Sequence, residues 1–307
     1  MLRYFLTRLA GAVPTLFVIV TITFFLIRAA PGGPFDQERT LPPEILANLQ
    51  SAYGLDQPIW TQYGRYLGAL LRGDFGPSFK YKDFSVTELI GQGFPVTLEL
   101  GTLAMALALI VGIPLGTFAA LRRNSAADYF TMSVAVIGIA IPSFVVLPFL
   151  GLLFGIYLHW LPVGGWEPGS IRHLVLPVAA LALPPLSVIA RLVRASMLDV
   201  LRSDYIRTAV AKGLPLHTVI LRHALRPALL PVASYLPPAV ASIMTGSLVV
   251  ESIAGLPGIG RYMVQGALNR DYTLVLGMVV IYSAVLILMG LLIDLLYAWL
   301  DPRVRLR

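Results

Sequence analysis

The sequence predicts an all-α integral membrane protein with six transmembrane helices, and three observations support this prediction. The chain of 307 residues is 57% hydrophobic and only 13% charged, whereas soluble domains carry about 25% charged residues. Its mean hydropathy is +0.79. About 20 apolar residues cross a bilayer at a rise of about 1.5 Å each. Six uncharged segments divide the chain, namely residues 9–27, 100–121, 129–158, 174–190, 227–250 and 272–293.

Two of these segments need a separate justification as spans. Residues 9–27 follow a basic start, as in a signal peptide, but Arg28 disrupts an Ala-x-Ala cleavage site ending at Ala30, so we interpret them as an uncleaved first span. Residues 174–190 are the shortest segment and contain three prolines. We count them because the helix can continue through Arg191, whose long side chain can reach the membrane surface.

The third segment is predicted to be kinked or broken, because it contains Pro142, Ser143 and Pro148. Kinked helices with small polar residues often line a path through membrane proteins, although kinks are also common in transmembrane bundles without such a role. Small polar and aromatic residues on several spans are therefore candidates for lining a translocation path. They are Ser143, Ser187, Ser234, Tyr235, Ser242 and Thr245.

The distribution of basic residues predicts the orientation of the chain. With six spans both termini lie on one side, and that side receives fourteen of the 23 Lys and Arg residues. Loops rich in Lys and Arg face the cytoplasm. Both termini are therefore predicted to be cytoplasmic. The fourteen residues are Arg3, Arg8, Arg122, Arg123, Arg191, Arg194, Arg202, Arg207, Lys212, Arg222, Arg226, Arg303, Arg305 and Arg307.

Two external segments are predicted to contain short helices. In residues 31–95, one amphipathic helix begins at prolines 42 and 43 behind a Thr40 cap and stops at Gly54, and a second begins at Ile59 and ends at Gly73. They form either a packed accessory cap or a docking surface for an external protein. Residues 251–273 are predicted to form a turn followed by a helix over 261–269, which could dip back into the outer mouth.

The basic stretch between the fourth and fifth spans is predicted to form two short helices joined by a sharp turn. Ser203 is expected to cap the first helix, and Lys212 lies in its last turn, where a cation suits the helix dipole. Gly213 is expected to end the helix in a left-handed conformation, and Pro215 blocks its continuation. The second helix is predicted from about His217 toward Pro227. We expect this turn to lie outside the bilayer and to bind a partner.

Several chemistries are absent from the sequence. It contains no G-x-x-x-x-G-K-[ST] or G-x-S-x-G motif, no His-x-x-x-His pair and no cysteine. Glu99 and Asp294 lie near span ends, whereas ion-coupled carriers usually place ionisable groups near the membrane midplane. We therefore predict no ATP, metal or other cofactor bound by this chain. A channel or an autonomous carrier, working without ATP or partners, is the alternative.

A DNA-binding helix-turn-helix over residues 203–226 is a further alternative. Apolar spans follow within a few residues on both sides of that stretch. We therefore reject this alternative and predict no nucleic-acid partner.

The stretch RTAVAKGLPLHTVILRHALRPALLP, residues 207–231, resembles the EAA loop of binding-protein-dependent ABC importer permeases. Gly213 matches the glycine of that motif and Ala209 matches one alanine. Arg207 stands where the general motif has Glu, and this departure resembles the peptide-importer branch of the family. Further segments along the whole chain resemble the same branch, including GDFGPSFKYKDFSV (73–86), IPSFVV (141–146), LHWLP (158–162) and GLPGIG (255–260).

This resemblance implies a type I ABC importer permease fold with cytoplasmic coupling helices at 203–226. It implies a first transmembrane helix (1–30), an external loop (31–95), a permease core (96–302) with an external loop at 251–273, and a cytoplasmic tail (303–307). The implied ATPase-coupling residues are Asp204, Arg207, Ala209, Lys212, Gly213, Leu214 and Pro215. The residues implied near the binding protein are Gly255, Pro257, Gly258, Gly260 and Arg261.

The resemblance also implies partners, substrate and location. The partners are a homologous C permease subunit, two ABC ATPases that use ATP and Mg²⁺, an extracytoplasmic peptide-binding protein, and membrane lipid. The chain itself is expected to be a transport subunit without a catalytic site, in the inner membrane of a bacterium. Oligopeptides are the expected substrate; dipeptides, nickel, glutathione and oligosaccharides are alternatives for the same machine.

Overall fold

A computed structural model describes residues 2–30, 33–35 and 42–300 of the chain, and its regular structure is helical. A single isolated β-bridge joins Pro77 and Ser85 in the described residues. Two π-helical segments, Gly151–Tyr157 and Val219–Ala224, interrupt the α-helices. The α-helices are α1 (Leu2–Ala29), α2 (Pro43–Ala52), α3 (Ile59–Leu70), α4 (Val86–Leu121), α5 (Ala126–Ala140), α6 (Ser143–Leu150), α7 (Arg172–Val200), α8 (Asp204–Ala211), α9 (Leu216–Thr218), α10 (Leu225–Ala228), α11 (Leu230–Ala254), α12 (Ile259–Leu268) and α13 (Tyr272–Leu300).

Within the described residues, five helices are long and apolar enough to cross a membrane, and a bent pair makes six spans if it counts as one. The five are α1, α4, α7, α11 and α13, and the pair is α5 with the helix Ser143–Tyr157. The count agrees with the six spans predicted from the sequence. The shortest predicted segment, residues 174–190, lies inside the 29-residue α7.

The predicted break in the third span is confirmed, and its two halves differ in direction by 107°. Ile141, which ends α5, has an extended backbone, and Pro142 precedes α6 in the same region. The ring of a proline disfavours the helical conformation in the residue before it, and proline itself has no N–H to donate. The peptide N–H groups of Val145 and Val146 both bond to the Pro142 carbonyl, which starts the new helix.

Helix α4 begins at Val86, nine residues before the predicted end of the external loop at residue 95. Its start is a capping box, in which Ser85 N–H donates to Glu88 Oε2 at 2.8 Å and Glu88 N–H donates to Ser85 Oγ at 3.2 Å. Pro95 lies inside the helix instead of ending the loop. The external segment predicted to end at residue 95 therefore overlaps the first ten residues of α4, because a proline in a transmembrane helix does not have to end it.

The chain divides into two compact units. The first contains Met1–Leu6, Leu98–Leu256 and Leu286–Arg307, and the second contains Thr7–Thr97 and Pro257–Val285. Helix α7 is central to the first unit and contacts α5, α6, α10 and α11. Its side chains Ile189, Val193 and Met197 have no exposed area.

In the second unit, helix α3 packs against α1 through aromatic side chains. Phe24 is fully buried, and its ring stacks on that of Tyr66 at 5.8 Å between centroids. The hydroxyls of Tyr63 and Thr21 lie 2.6 Å apart. This packing favours the accessory-cap interpretation for α3. Its predicted start at Ile59 is confirmed, and it ends at Leu70, three residues before the predicted Gly73. The proposed Thr40 cap of α2 lies outside the described residues.

A buried carboxylate organises another part of the second unit. Asp271 has no exposed area, and its Oδ2 accepts from Ser78 Oγ at 2.5 Å and from Phe79 N–H at 3.1 Å. Its Oδ1 accepts from Leu274 N–H at 3.2 Å. Asp271 therefore caps the start of α13 and holds the loop at residues 78–80.

Candidate functional site

We call the basic stretch of residues 203–226 the coupling turn. Its first half is helix α8, which follows α7 after three residues. Ser203 occupies the N-cap position with an extended backbone, as predicted. Its hydroxyl, however, donates to the Val200 carbonyl at 2.6 Å and makes no capping bond to α8. The expected role of Ser203 was therefore wrong, because its hydroxyl bonds to the preceding helix. Asp204 in the first turn of α8 provides the negative charge that a helix N-terminus favours.

The end of α8 is a Schellman turn built on Gly213. Lys212 is the C-cap residue, and Gly213 has a φ of +76°, which confirms the predicted left-handed stop. Gly213 N–H donates to Val210 O at 2.9 Å, and Leu214 N–H donates to Ala209 O at 3.4 Å. No atom lies within 4 Å of a Cβ placed on Gly213. The position therefore requires glycine for its backbone conformation and not for lack of space.

The surface around this turn carries large apolar side chains that are exposed. The exposed fractions are 49% for Tyr205, 56% for Val210, 37% for Leu214 and 64% for Leu216. Only Ile206 and Ala209 of α8 are buried. Four exposed large apolar side chains within twelve residues, outside the candidate spans, favour a protein–protein contact. We call Tyr205, Val210, Leu214 and Leu216 the docking patch.

The predicted coupling residues differ in how they take part in this surface. Asp204 and Arg207 form an exposed ion pair at 3.3 Å, which contributes little to stability and leaves both side chains accessible. Lys212 and Pro215 are exposed as well. Ala209, in contrast, is buried and serves to pack α8 against the rest of the first unit.

The second half of the turn is one irregular helix. It starts at Leu216 behind Pro215, passes through the π-helical segment Val219–Ala224 and continues as α10. Val219, Ala224 and Ala228 are buried, while α8 contacts the π-helical segment and α10 contacts α7. The helix predicted from about His217 toward Pro227 is therefore present, with a π-helical centre that the sequence did not indicate.

Three of the six candidate path residues share one exposed face of α11. Ser234, Ser242 and Thr245 are all exposed, together with Pro238, at helical spacing. The hydroxyls of Ser234 and Thr245 donate to carbonyls one turn earlier, Leu230 at 3.3 Å and Ala241 at 2.8 Å. We call this the polar face of α11.

The other three candidates lie elsewhere. Tyr235 is half-buried beside the polar face. Ser143 is half-buried at the start of α6, with its Oγ 3.2 Å from a Cβ placed on Gly246 of α11. Ser187 is buried, with its Oγ 2.3 Å from a Cβ placed on Gly138. Ser187 thus belongs to the contact between α5 and α7 and is not grouped with the polar face.

The predicted external site is divided between the two units. Gly255 ends α11 with a φ of +70° and belongs to the first unit, whereas Pro257, Gly258, Gly260 and Arg261 belong to the second. Gly258 and Gly260 are buried, and Arg261 is half-buried.

The bounds of this external segment differ from the prediction at its start. Helix α11 extends through Ala254, so residues 251–254, predicted as loop, are helical, and Glu251 is fully buried. The short helix itself was predicted within two residues of its observed bounds.

The first unit contains a buried ion pair that the sequence does not indicate. Arg194 of α7 donates through Nε to Asp128 Oδ1 at 2.5 Å and through Nη2 to Oδ2 at 2.7 Å. Asp128 is 1% exposed. The pattern Ser125-x-x-Asp128 indicates a helix start, and Ser125 Oγ does accept from Asp128 N–H. Nothing in the sequence connects Asp128 to Arg194, 66 residues later.

Within the described residues, no three His, Asp or Glu side chains come together as a possible metal site. The absence of a bound cofactor therefore stays a prediction.

Comparison with known proteins identifies the family. The profile described as "Binding-protein-dependent transport system inner membrane component" matches residues 112–306, and the profile of its N-terminal region matches residues 1–101. Together these matches cover nearly the whole chain. The protein belongs to the family of inner-membrane components of binding-protein-dependent transport systems, and is a multi-pass membrane permease subunit.

Several curated relatives span the full length of the chain. The oligopeptide transport system permease protein OppB of Escherichia coli K12 is 54% identical over 305 residues, which covers 99% of this chain and 100% of that protein. OppB of Haemophilus influenzae is 52% identical with the same coverage. The dipeptide transport system permease protein DppB of Bacillus subtilis is 47% identical, with coverage of 100% and 99%.

A solved structure supports the fold. The inward-facing MetNI methionine ABC transporter matches with a TM-score of 0.56 at 16% identity, over 69% of this chain and 96% of that chain. The described part of the chain thus has the helical fold of an ABC importer permease.

Proposed function

We propose that this chain is the transmembrane permease subunit of an ATP-driven importer that takes up oligopeptides. The observation that carries the proposal is the docking patch, four exposed apolar side chains around the turn at Gly213. A permease of this family needs a contact through which an ATPase acts on it, and an exposed amphipathic helix entering a groove is a common form of contact. The OppB relatives support the peptide substrate.

We further propose the composition and orientation of the complex. The chain pairs with a homologous C permease, two ABC ATPases bind on the cytoplasmic face, and an extracytoplasmic binding protein delivers the peptide. Both termini and the turn at Gly213 are cytoplasmic in this proposal, in agreement with the excess of Lys and Arg on that side. ATP and Mg²⁺ act in the ATPase subunits.

The proposed mechanism is alternating access. ATP binding closes the ATPase pair, and helix α8 moves with it. The Schellman turn at Gly213 fixes the angle between α8 and the following helix, so the two helices move together. The two permeases then change from inward-facing to outward-facing, and the peptide enters from the binding protein. This chain's residues transmit movement and carry out no bond-breaking step.

The polar face of α11 is the proposed contribution of this chain to the translocation path. The exposed hydroxyl oxygens of Ser234, Ser242 and Thr245 can accept hydrogen bonds from water or from a peptide in a hydrated cavity. Hydroxyls can satisfy peptide N–H and C=O groups of any sequence. A path of this kind suits oligopeptides better than nickel, for which clustered His or Met would be expected.

The first experiment is purification of the complex from its native membrane through a tag on this chain. We expect a second permease and two P-loop ATPases to co-purify, and the reconstituted complex to take up a labelled oligopeptide with ATP and a binding protein. Competition with dipeptides, glutathione, nickel and oligosaccharides ranks the substrates. Transport by the isolated chain without ATP would instead identify an autonomous carrier.

A further inference from the structure

The pair formed by Asp128 and Arg194 has the geometry of a rigid connection. Two charge-assisted hydrogen bonds of 2.5 and 2.7 Å join the guanidinium to the carboxylate, and this bidentate arrangement fixes orientation as well as distance. Asn124 N–H donates to Asp128 Oδ2 at 2.9 Å, so the carboxylate is also held by its own hairpin. Asp128 is almost fully buried, and the Arg194 side chain is 25% exposed.

Close backbone contacts surround the same part of α7. A Cβ placed on Gly112 of α4 would lie 2.9 Å from the Leu186 carbonyl oxygen, and one on Gly116 would lie 2.3 Å from that of Ala190. Small residues four apart allow helices in a membrane to approach this closely. Helix α4 is therefore packed directly against the backbone of α7. A Cβ on Gly116 would also lie 2.8 Å from Val193 Cβ, and Arg194 is the next residue along α7.

The end of α7 continues into the coupling turn without a flexible linker. Three prolines interrupt the first half of α7, but none lies between Leu186 and Val200. Backbone hydrogen bonds continue through the turn into α8. Leu201 N–H donates to Met197 O at 2.9 Å, and Ser203 N–H donates to Val200 O at 3.0 Å. A displacement of α8 is therefore passed to the segment Leu186–Val200.

We infer that Asp128 and Arg194 form a positioning pair that makes the α4–α5 hairpin move together with the end of α7 when the coupling turn moves. The inference rests on the proposed function. The glycine contacts hold α4 to α7 up to Val193. The ion pair holds the start of α5 to α7 beyond that point, nearer to α8. A buried ion pair adds little net stability relative to an apolar pair of the same size, so its distinctive contribution is orientation.

The test separates folding from coupling with a neutral double variant. A single Asp128→Asn or Arg194→Gln change leaves one buried charge unpaired and should lower the yield of the complex. The double variant Asp128→Asn/Arg194→Gln removes both charges and keeps one amide hydrogen bond, so its yield should recover. Peptide uptake per ATP hydrolysed should nevertheless fall about tenfold, the size of effect seen when positions that transmit coupling are altered. The measurement uses the complete importer, purified through this chain and reconstituted in liposomes.

Arg191→Gln is the matched control, because Arg191 lies one turn before Arg194 and is exposed. It removes the same charge from the same helix and should leave uptake per ATP unchanged. A double variant with the wild-type ratio of uptake to ATP hydrolysis would overturn the inference, as would variants that change only the yield. If the double variant does not assemble, Arg194→Lys carries the test, since it keeps the charge but loses the bidentate geometry. A wild-type ratio in that variant would also overturn the inference.

The proposed function is tested separately by the wild-type complex in the same liposomes. Without ATP-dependent peptide uptake there, the proposed function fails, whatever the variants do.

Spin labels on introduced cysteines add a direct readout of the movement, because the chain contains no native cysteine. Labels at positions 126 and 202 should keep one narrow distance in resting and ATP-trapped wild-type complex, and a broader one in the double variant. A wild-type distance that changes between the two states would contradict a common movement of the two helices.

Discussion

Helices α8 and α12 are both short, both follow a long span, and both adjoin a turn containing glycine, yet they expose different surfaces. Around α8, four large apolar side chains are exposed and only Ile206 and Ala209 are buried. In α12, Ile259, Gly260 and Gly266 are buried, and Gly258 before it is buried as well. Helix α8 therefore offers a surface to a partner, whereas the start of α12 is packed inside its own unit.

This difference shows that two similar amphipathic patterns can have different functions. An apolar stripe indicates that a helix will bury one face, but it does not indicate whether that face packs against the same chain or against another protein. Helix α12 packs against its own unit, because Ile259 N–H donates to Thr97 Oγ1 at 3.0 Å and Gly93 approaches the Gly258–Ile259 backbone. Four substitutions test the comparison.

The largest effect is expected from Gly213→Val at the end of α8. A β-branched residue is strained at a φ of +76°, and the strain of about 1–3 kcal/mol would change the turn angle. Peptide uptake by the reconstituted importer should fall about 100-fold, while ATP hydrolysis and membrane insertion continue. Gly213→Asn is the control, because asparagine tolerates this conformation. Normal uptake by the valine variant would refute the role of the turn.

A change in the docking patch should weaken ATPase binding without affecting the fold. Leu216→Asp places a charge on a side chain that is 64% exposed; a central interface residue contributes about 2 kcal/mol, so binding should weaken about 30-fold. Titration of purified ATPase onto the permease in detergent measures this. The control is Leu71→Asp, at an 89% exposed leucine outside the patch. Equal losses for both variants would mean that the docking patch is not the contact.

Substitution near α12 should instead reduce stability. A Cβ on Gly93 would lie 3.0 Å from Ile259 N and 3.1 Å from Gly258 C, both of them backbone atoms. Gly93→Val should therefore cost about 1–3 kcal/mol through overpacking, seen as a lower unfolding temperature in detergent. ATPase binding per folded molecule should not change. Gly91→Val, where nothing lies within 4 Å, should be close to neutral, and similar losses at both positions would contradict the packing argument.

The smallest effect is expected from Tyr81→Phe. The Tyr81 hydroxyl donates to Gln265 Oε1 of α12, and loss of one such bond costs about 1 kcal/mol. Burial, and next the neighbouring Tyr262, raise the pKa of Tyr81 above its ordinary value of 10.0. The neutral tyrosine is therefore favoured in the folded state, and its contribution is present below pH 10 and lost as the pH rises through the folded pKa. Unfolding midpoints from pH 7 to 11 should show this loss in the wild type and not in the variant.

The elements that depend on local sequence could be predicted. The uncharged segments, the left-handed Gly213, the break at Pro142 and the helices at Pro43 and Ile59 all follow from the composition and backbone preferences of a few neighbouring residues. The start of α4 at Val86 was missed although Ser85 and Glu88 form a recognisable capping box.

The elements that depend on contacts between distant residues could not be predicted. Asp128 meets Arg194 and Asp271 meets Ser78 only because the fold brings distant helices and loops together. The same limitation applies to exposure. The sequence could not show that Ser187 is buried against Gly138 while Ser234 and Ser242 of the same candidate set are exposed.

The broken third span has a consequence for biogenesis. Helix α5 has 15 residues, and Ser143–Tyr157 combines eight and seven residues; at about 1.5 Å per residue, each half is about 22 Å long. The hydrocarbon layer is about 30 Å thick, so neither half can cross it alone. A crossing at this point therefore needs both halves in the bilayer. The orientation of every later span thus depends on whether the two halves enter together.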